Sequence, residues 1–224
     1  MRALKALAVL LTYPEAGLIA ALPEVEAVLR EEGLIGKANQ TGLARLLGYF
    51  AETELMAAQE AYVATFDRSR QLSLHLFEHL HGDSRERGPA MVDLAAMYRA
   101  DGLEPAPGEL PDFLPLFLEY LSAIDWPRAR ALLHEVEHIL RPLRDRLDKR
   151  GLPQAAVLTA LLELAGCART PATTLDDEPA DDDLAALDRA WEEAAVVFGP
   201  GAEPGQQASC SRAAAMLARM SGNS

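Results

Sequence analysis

The sequence predicts an all-α protein, a single helical bundle with an acidic C-terminal tail, and three observations predict it. Apolar residues recur at three- and four-residue spacing through most of positions 1–169. Short Gly/Pro breaks separate these stretches, and no run alternates apolar and polar residues as a half-buried strand would. Beyond Thr170 the composition changes to acidic and small residues.

The opening MRALKALAVLLTYP reads as an amphipathic helix stopped before Pro14, because a proline disfavours helix at the residue before it. Arg2 and Lys5 ahead of the apolar run 6–11 faintly suggest a signal peptide, but the run is short and no cleavage site follows. A second helix fits 15–32, ahead of the breakers Gly33, Gly36 and Asn39. A third is predicted over 41–66, interrupted near Tyr49. Its Leu55, Tyr62 and Phe66 share a face by their spacings of seven and four, and Asp67 ends the pattern. The next helix spans 71–81 and closes at Gly82. Asp83 is a candidate cap for its successor, with Glu86 at the capping-box position, and Gly88-Pro89 can delay that start. This successor carries Met91, Leu94, Ala95 and Tyr98 on one side.

GLEPAPGELPD at 102–112 is the most loop-like stretch of the body. Helices follow at about 112–124, 127–150 and 153–167, with Pro127 and Pro153 near starts. Pro142 should kink or divide the middle one. Residues 171–224 hold ten acidic and three basic side chains, a net of −7 and more than half of the chain's −13. DDEPADDD at 176–183 reads as a solvated linker. Helical patches at about 184–198 and 209–220, with Trp191, Val196, Val197 and Phe198, are expected to dock on the body or on a partner. The chain therefore divides into a helical domain, 1–170, and an acidic linker with a short helical tail, 171–224.

A net charge of −13 argues against nucleic acid or an anionic membrane surface as partner, since both need clustered Lys and Arg. A basic peptide is the complementary choice, although acidity also serves solubility alone. No apolar stretch approaches the ~20 residues of a membrane span, so a cytoplasmic protein without direct membrane insertion is expected. Cys167 and Cys210 form no CxxC, which removes zinc ribbons and thioredoxin-like redox motifs. Two free thiols in a reducing compartment are expected.

The sharpest enzyme-like signal is His134-Glu135-Val136-Glu137-His138, a literal H-E-x-x-H. In zinc peptidases that spacing puts both histidines on one helix face as ligands, with the glutamate as base. Here Leu132, Val136, Ile139 and Leu140 define the core stripe, and His134 and His138 fall opposite, with Arg141 and Asp145. An arginine one turn away opposes a cation, and no sheet edge is present to hold substrate. A zinc hydrolase using His134, Glu135 and His138 is thus the rival, and two solvated histidines are the expectation. His75 and His79 are one turn apart on the predicted helix, with His81 turned about 200° from His79, so one ion cannot easily take all three. They are expected to border a groove, bonded to carboxylate or backbone.

Arg85 and Arg87 in HGDSRERG either bind a phosphate or carboxylate at a helix start, or pair with Asp83, Asp93 or Glu86. The block lacks a P-loop's G-x-x-x-x-G-K-[ST]. In GELPDFLP, Glu109 and Asp112 flank an apolar-Pro hinge. They lack a nucleophile for acid–base work; Asp112 either caps the next helix or faces a basic client segment.

These residues bring a resemblance with them. LLTYP at 10–14, Tyr62-x-x-x-Phe66-Asp67, LSLHLFEHLHGDSRERGPAMVDL at 72–94, ELPDFLP at 109–115 and WEEAAVVFG at 191–199 resemble the NarJ-type assembly chaperones of respiratory nitrate reductase, a branch of the TorD/DmsD-like molybdoenzyme chaperones. The likeness spans nearly the whole chain, and the 72–94 block is highly specific. It implies a TorD-like helical bundle that binds the N-terminal segment of the apo catalytic (alpha) subunit of nitrate reductase. It also implies that the client stays competent for insertion of its molybdenum cofactor, and of an iron–sulfur cluster, before membrane docking. Proteins of molybdenum cofactor biosynthesis are a further implied partner class. The chaperone itself would be no enzyme and carry no cofactor, since the molybdenum cofactor belongs to the client. Two positions depart from the pattern: Phe113 stands where the wider family often has His, and Ala195 where proline is expected.

The expected client groove is lined by Tyr62, Phe66, Leu76, Met91 and Tyr98, which would accept an amphipathic helix by its i, i+3/i+4, i+7 anchors. Asp67, Glu109 and Asp112 would read positive charge, with His79, Arg87 and Pro111 completing the site. No catalytic residue and no metal ligand is assigned.

Overall fold

The computed structural model describes residues 1–82 and 84–167. Among them run ten α-helices: α1 (Arg2–Val9), α2 (Ala16–Glu31), α3 (Lys37–Glu52), α4 (Leu55–Tyr62), α5 (Leu76–His81), α6 (Arg87–Ala100), α7 (Leu114–Ala123), α8 (Trp126–Glu135), α9 (Glu137–Lys149) and α10 (Ala155–Ala165). The described residues contain no strand beyond one isolated antiparallel bridge between His75 and Phe113. The all-α expectation therefore holds for them. Asp83, the linker at 176–183, both C-terminal patches and Cys210 lie outside the described residues.

Helix α10 sits at the centre because it is apolar around most of its circumference, with Val157, Leu158, Ala160 and Leu161 fully enclosed. It packs against α9, α8, α3 and α1. Helix α1 buries Ala3, Leu4, Ala6, Leu7 and Ala8 and lies mainly along α7, whose Leu114, Phe117, Leu118 and Leu121 meet it. The amphipathic α9 contributes Ile139, Leu140, Leu143 and Leu147 at helical spacing. A single apolar core links all of these elements.

Several helix starts are capped by carboxylates from distant parts of the chain. Glu32 accepts the Arg2 and Ala3 amides at 2.8 and 2.9 Å, which satisfies free donors at the start of α1. Glu163, on α10, accepts the Gly36 amide at 3.0 Å and the Asn39 side-chain amide at the start of α3. A Cβ at position 36 would stand 2.7 Å from that Glu163 oxygen, so a larger residue there would make the Glu163 side chain shift. Only α8 has a local side-chain cap, where Asp125 accepts the Arg128 amide at 3.2 Å.

Five boundaries differ from the sequence expectation, the first being the start of α3, which falls at Lys37 and takes in Asn39, expected as a breaker. The break in the predicted 41–66 helix falls at Thr53 and not near Tyr49, and α4 runs on into a π turn, Val63–Asp67. There the Arg68 amide reaches the Val63 carbonyl at 3.1 Å, one residue further back than in an α-helix. The predicted 71–81 helix is instead a 3-10 turn, Arg70–Leu72, an extended link, and α5 from Leu76. Tertiary pairing prevails over helical periodicity here: the Leu76 amide bonds the Asp112 carbonyl at 2.9 Å, and the Leu114 amide bonds the Leu74 carbonyl at 2.8 Å. The helix after Gly82 begins at Arg87, ahead of Gly88-Pro89, and Glu86 makes no side-chain cap bond. Finally, the 127–150 helix divides at Val136 and not at Pro142, which remains inside α9.

Candidate functional site

The described segments that carry the family resemblance meet in two places. The first is a buried polar knot around Asp112. This carboxylate is wholly enclosed, yet it lies between α5 and the turn before α7. Its Oδ2 accepts the Phe77 amide at 3.1 Å, and its Oδ1 lies 3.1 Å from His75 Nδ1. The Arg87 guanidinium stands 3.7 Å from Oδ2 and 3.3 Å from the Glu78 carboxylate, so it neutralises both. The Tyr98 hydroxyl donates to the neighbouring Pro111 carbonyl at 2.7 Å. His79 donates from Nε2 to the Ser73 carbonyl at 2.8 Å, and its burial lowers its pKa from the ordinary 6.5. Burial raises the Tyr98 hydroxyl well above the usual tyrosine range, with Tyr120 and Asp112 adding to it.

The second place joins LLTYP to the Tyr62–Phe66 face. The Tyr62 hydroxyl donates to the Leu11 carbonyl at 3.2 Å, and Tyr13 meets the Tyr62 ring edge-on at 5.6 Å. Burial and the Asp67 charge raise the Tyr62 hydroxyl above its ordinary range. The Gln59 side chain donates to the Pro14 carbonyl at 2.8 Å. Outside this contact lies an open cleft of about 530 Å³ lined by Tyr13, Met56, Gln59, Glu60, Val63, Ala64 and Arg68. Met56 is 61% exposed and Tyr13 is 43% exposed.

Several predicted groove residues are corrected by their surroundings. Tyr62, Phe66, Leu76 and Tyr98 were expected to line an open groove, but each is buried in the core. Their shared face is the inner one, and the Tyr62 and Phe66 rings meet at a tilt with centroids 5.0 Å apart. Asp112 was expected either to cap α7 or to read client charge. It caps α5 instead, and its burial removes it from the surface. Pro111 is buried beside it. Asp67 and Glu109 are exposed, while His79, Arg87 and Met91 are half-buried and offer surface. Sequence reasoning missed Met56 and Val63 as surface groups, and His75 as the direct partner of Asp112. Tyr13 was in view as part of LLTYP but was not assigned to the groove.

The H-E-x-x-H stretch does not form a ligand pair. The helix is interrupted at Val136, and His138 Nδ1 is engaged with the Glu135 carbonyl at 2.9 Å. Asp145, expected on the solvated face, is buried and accepts from Arg144. His134 meets other groups: its Nδ1 lies 3.4 Å from Cys167 Sγ and 3.6 Å from Glu137 Oε2. Arg141 donates to Glu137 Oε1 and, with Cys167, holds the Glu137 carboxyl below its usual range. Burial, then the Glu137 hydrogen bond and charge, push the Cys167 thiol up to about 11.

Comparison with known proteins then defines the class. The sequence profile of a family described as nitrate reductase delta subunit matches residues 32–160, and the chain belongs to that family. Its relatives include the nitrate reductase molybdenum cofactor assembly chaperone NarJ of Escherichia coli K12, 40% identical over 84% of this chain and 81% of the relative. The probable chaperone NarW of the same strain is 38% identical over 88% of this chain and 84% of its own length. A probable NarJ of Bacillus subtilis is 34% identical over 70% of this chain and 84% of its own length.

Proposed function

We propose that this protein is a dedicated assembly chaperone of respiratory nitrate reductase. It binds the apo catalytic subunit by its N-terminal segment and holds that client competent for molybdenum cofactor and iron–sulfur insertion before membrane docking. The observation that carries this reading is 40% identity, across most of both chains, to a protein named as a nitrate reductase molybdenum cofactor assembly chaperone. No described helix is long and apolar enough to cross a membrane, which suits action in the cytoplasm before docking. The protein acts by binding alone; the molybdenum cofactor is the client's.

The cleft over Tyr62 and Phe66 is the surface assigned to the client segment. Tyr13, Met56 and Val63 give an apolar floor for the i, i+3/i+4, i+7 anchors of an amphipathic helix. Glu60 lines the cleft, and Glu54 and Asp67 are exposed on the same segment, so cationic flanks on the client are favoured. Asp67, His79, Arg87, Met91 and Glu109 remain candidates for the client's continuation. Tyr62 and Phe66 are buried next to this cleft, and Tyr98, Pro111 and Asp112 belong to the separate knot around Asp112.

The test is capture of the tagged full chain from cells expressing apo nitrate reductase, with mass spectrometry of what comes with it. The catalytic subunit should dominate, and deleting the chaperone gene should leave that subunit without molybdenum. A reductase that acquires its cofactor at the normal level in the deletion strain sinks the proposal.

A further inference from the structure

Three chain segments deliver one nitrogen, one sulfur and one oxygen donor to a single point beside the α8–α9 break. His134 comes from the last turn of α8, Glu137 opens α9, and Cys167 follows α10. His134 and Glu137 stand at i, i+3 across the break at Val136, a spacing that sets side chains beside each other. Gly166 ends α10 in the left-handed region at φ +81°, and the Cys167 amide bonds back to the Leu162 carbonyl at 3.0 Å. That turn brings the Cys167 sulfur over the break. Among the described residues this is one group of three potential ligands whose donor atoms all lie within 4.8 Å of one another.

We propose that His134, Glu137 and Cys167 form a binding site for a borderline divalent cation, Zn²⁺ by its donor set. Tetrahedral zinc with bonds of roughly 2.0–2.3 Å has ligand–ligand edges of roughly 3.3–3.8 Å. The edges from His134 Nδ1 to Cys167 Sγ and to Glu137 Oε2 are 3.4 and 3.6 Å, so the ion requires only small side-chain shifts. A mixed imidazole, thiolate and carboxylate set suits Zn²⁺ over the hard cations Mg²⁺ and Ca²⁺, which take oxygen ligands. Arg141 occupies Glu137 Oε1, which orients the carboxylate and leaves Oε2 for the ion. The same guanidinium opposes the cation, so binding is weaker than at a structural Cys₄ site. Cys167 and Arg141 line an open cleft of about 410 Å³, which gives an ion a route to the sulfur. This site differs from the literal H-E-x-x-H pair, because it uses Glu137 and Cys167 in place of Glu135 and His138.

The full chain, purified without a histidine tag and stripped with chelator, is titrated with Co²⁺ as a spectroscopic probe and then with Zn²⁺ in competition. One equivalent of Co²⁺ should bind with a thiolate-to-metal charge-transfer band, and Zn²⁺ should displace it. C167S should abolish the band, and H134A and E137Q should weaken binding at least tenfold. H138N and C210S should bind as the unaltered chain does. Circular dichroism spectra matching the unaltered protein show that each variant is folded. Absence of saturable binding overturns the proposal, as does a band that survives C167S. Loss of binding in H138N with retention in E137Q also overturns it, in favour of the H-E-x-x-H pair.

Discussion

Asp112 accepts the amide of Phe77 at 3.1 Å across 35 positions of sequence, so the turn before α7 supplies the N-terminal cap of α5. The same carboxylate faces His75 and Arg87, and no water-exposed surface remains on it. Its removal would leave the Phe77 donor and part of the Arg87 charge without a partner in a buried place. Such losses commonly cost about 3–5 kcal/mol. Asp112→Ala should therefore lower the unfolding free energy from urea titration by an amount in that range, and Asp112→Asn, which keeps an acceptor, by less. An unchanged midpoint in Asp112→Ala would show that the knot contributes nothing.

Phe66 is 4% exposed and stacks on Tyr62. Truncating a buried phenylalanine commonly costs about 3–5 kcal/mol through lost burial and the cavity left behind. Phe66→Ala should act mainly on stability, in contrast to the sequence expectation of a direct contact with client. Denaturation measured beside peptide titration separates the two. A variant of full stability that no longer binds peptide would put Phe66 back on the surface.

Met56 offers the complementary test, because its side chain is exposed and lines the cleft. Met56→Glu should leave stability within about 0.5 kcal/mol, as surface exchanges usually do. Binding of the reductase's N-terminal peptide should weaken by about tenfold or more, equivalent to ~1.4 kcal/mol. Calorimetric titration checks this, and undiminished affinity would move the client to another face.

The helices themselves were legible because each carries its own apolar periodicity, as α9 does with Ile139, Leu140, Leu143 and Leu147. What joins them was not. The caps from Asp112 to α5, Glu32 to α1 and Glu163 to α3 span long sequence separations, and no local rule signals them. The burial of the expected groove residues escaped the sequence for a related reason. A shared helix face at Tyr62 and Phe66 identifies an apolar stripe, but spacing alone does not say whether core or partner covers it. His134 was read on an unbroken helix, so its approach to Cys167 could not be anticipated.

His79 should make stability depend on pH. Its folded-state pKa lies below the ordinary 6.5, chiefly because burial disfavours the charged ring. The unfolded chain therefore binds a proton more readily than the folded one. The stabilisation is complete above pH 6.5 and is lost as pH falls through the interval down to the folded value. Melting temperatures should drop from pH 7.5 to pH 5, and His79→Gln should flatten that slope. A variant with the same slope as the unaltered chain would assign the dependence to other groups.

The π turn at Val63–Asp67 makes chain length, and not only residue identity, part of what this segment encodes. It fits one residue more into a turn than an α-helix does. Deleting one residue there would restore an ordinary α-helical turn and draw the chain that follows back by one residue. Phe66 and Leu72, both buried in the core, would be pulled off their packing positions. Exchanges of residue in this segment should therefore be tolerated far more often than gaps. In an alignment of family members that share the Tyr-x-x-x-Phe-Asp motif, insertions and deletions should cluster elsewhere.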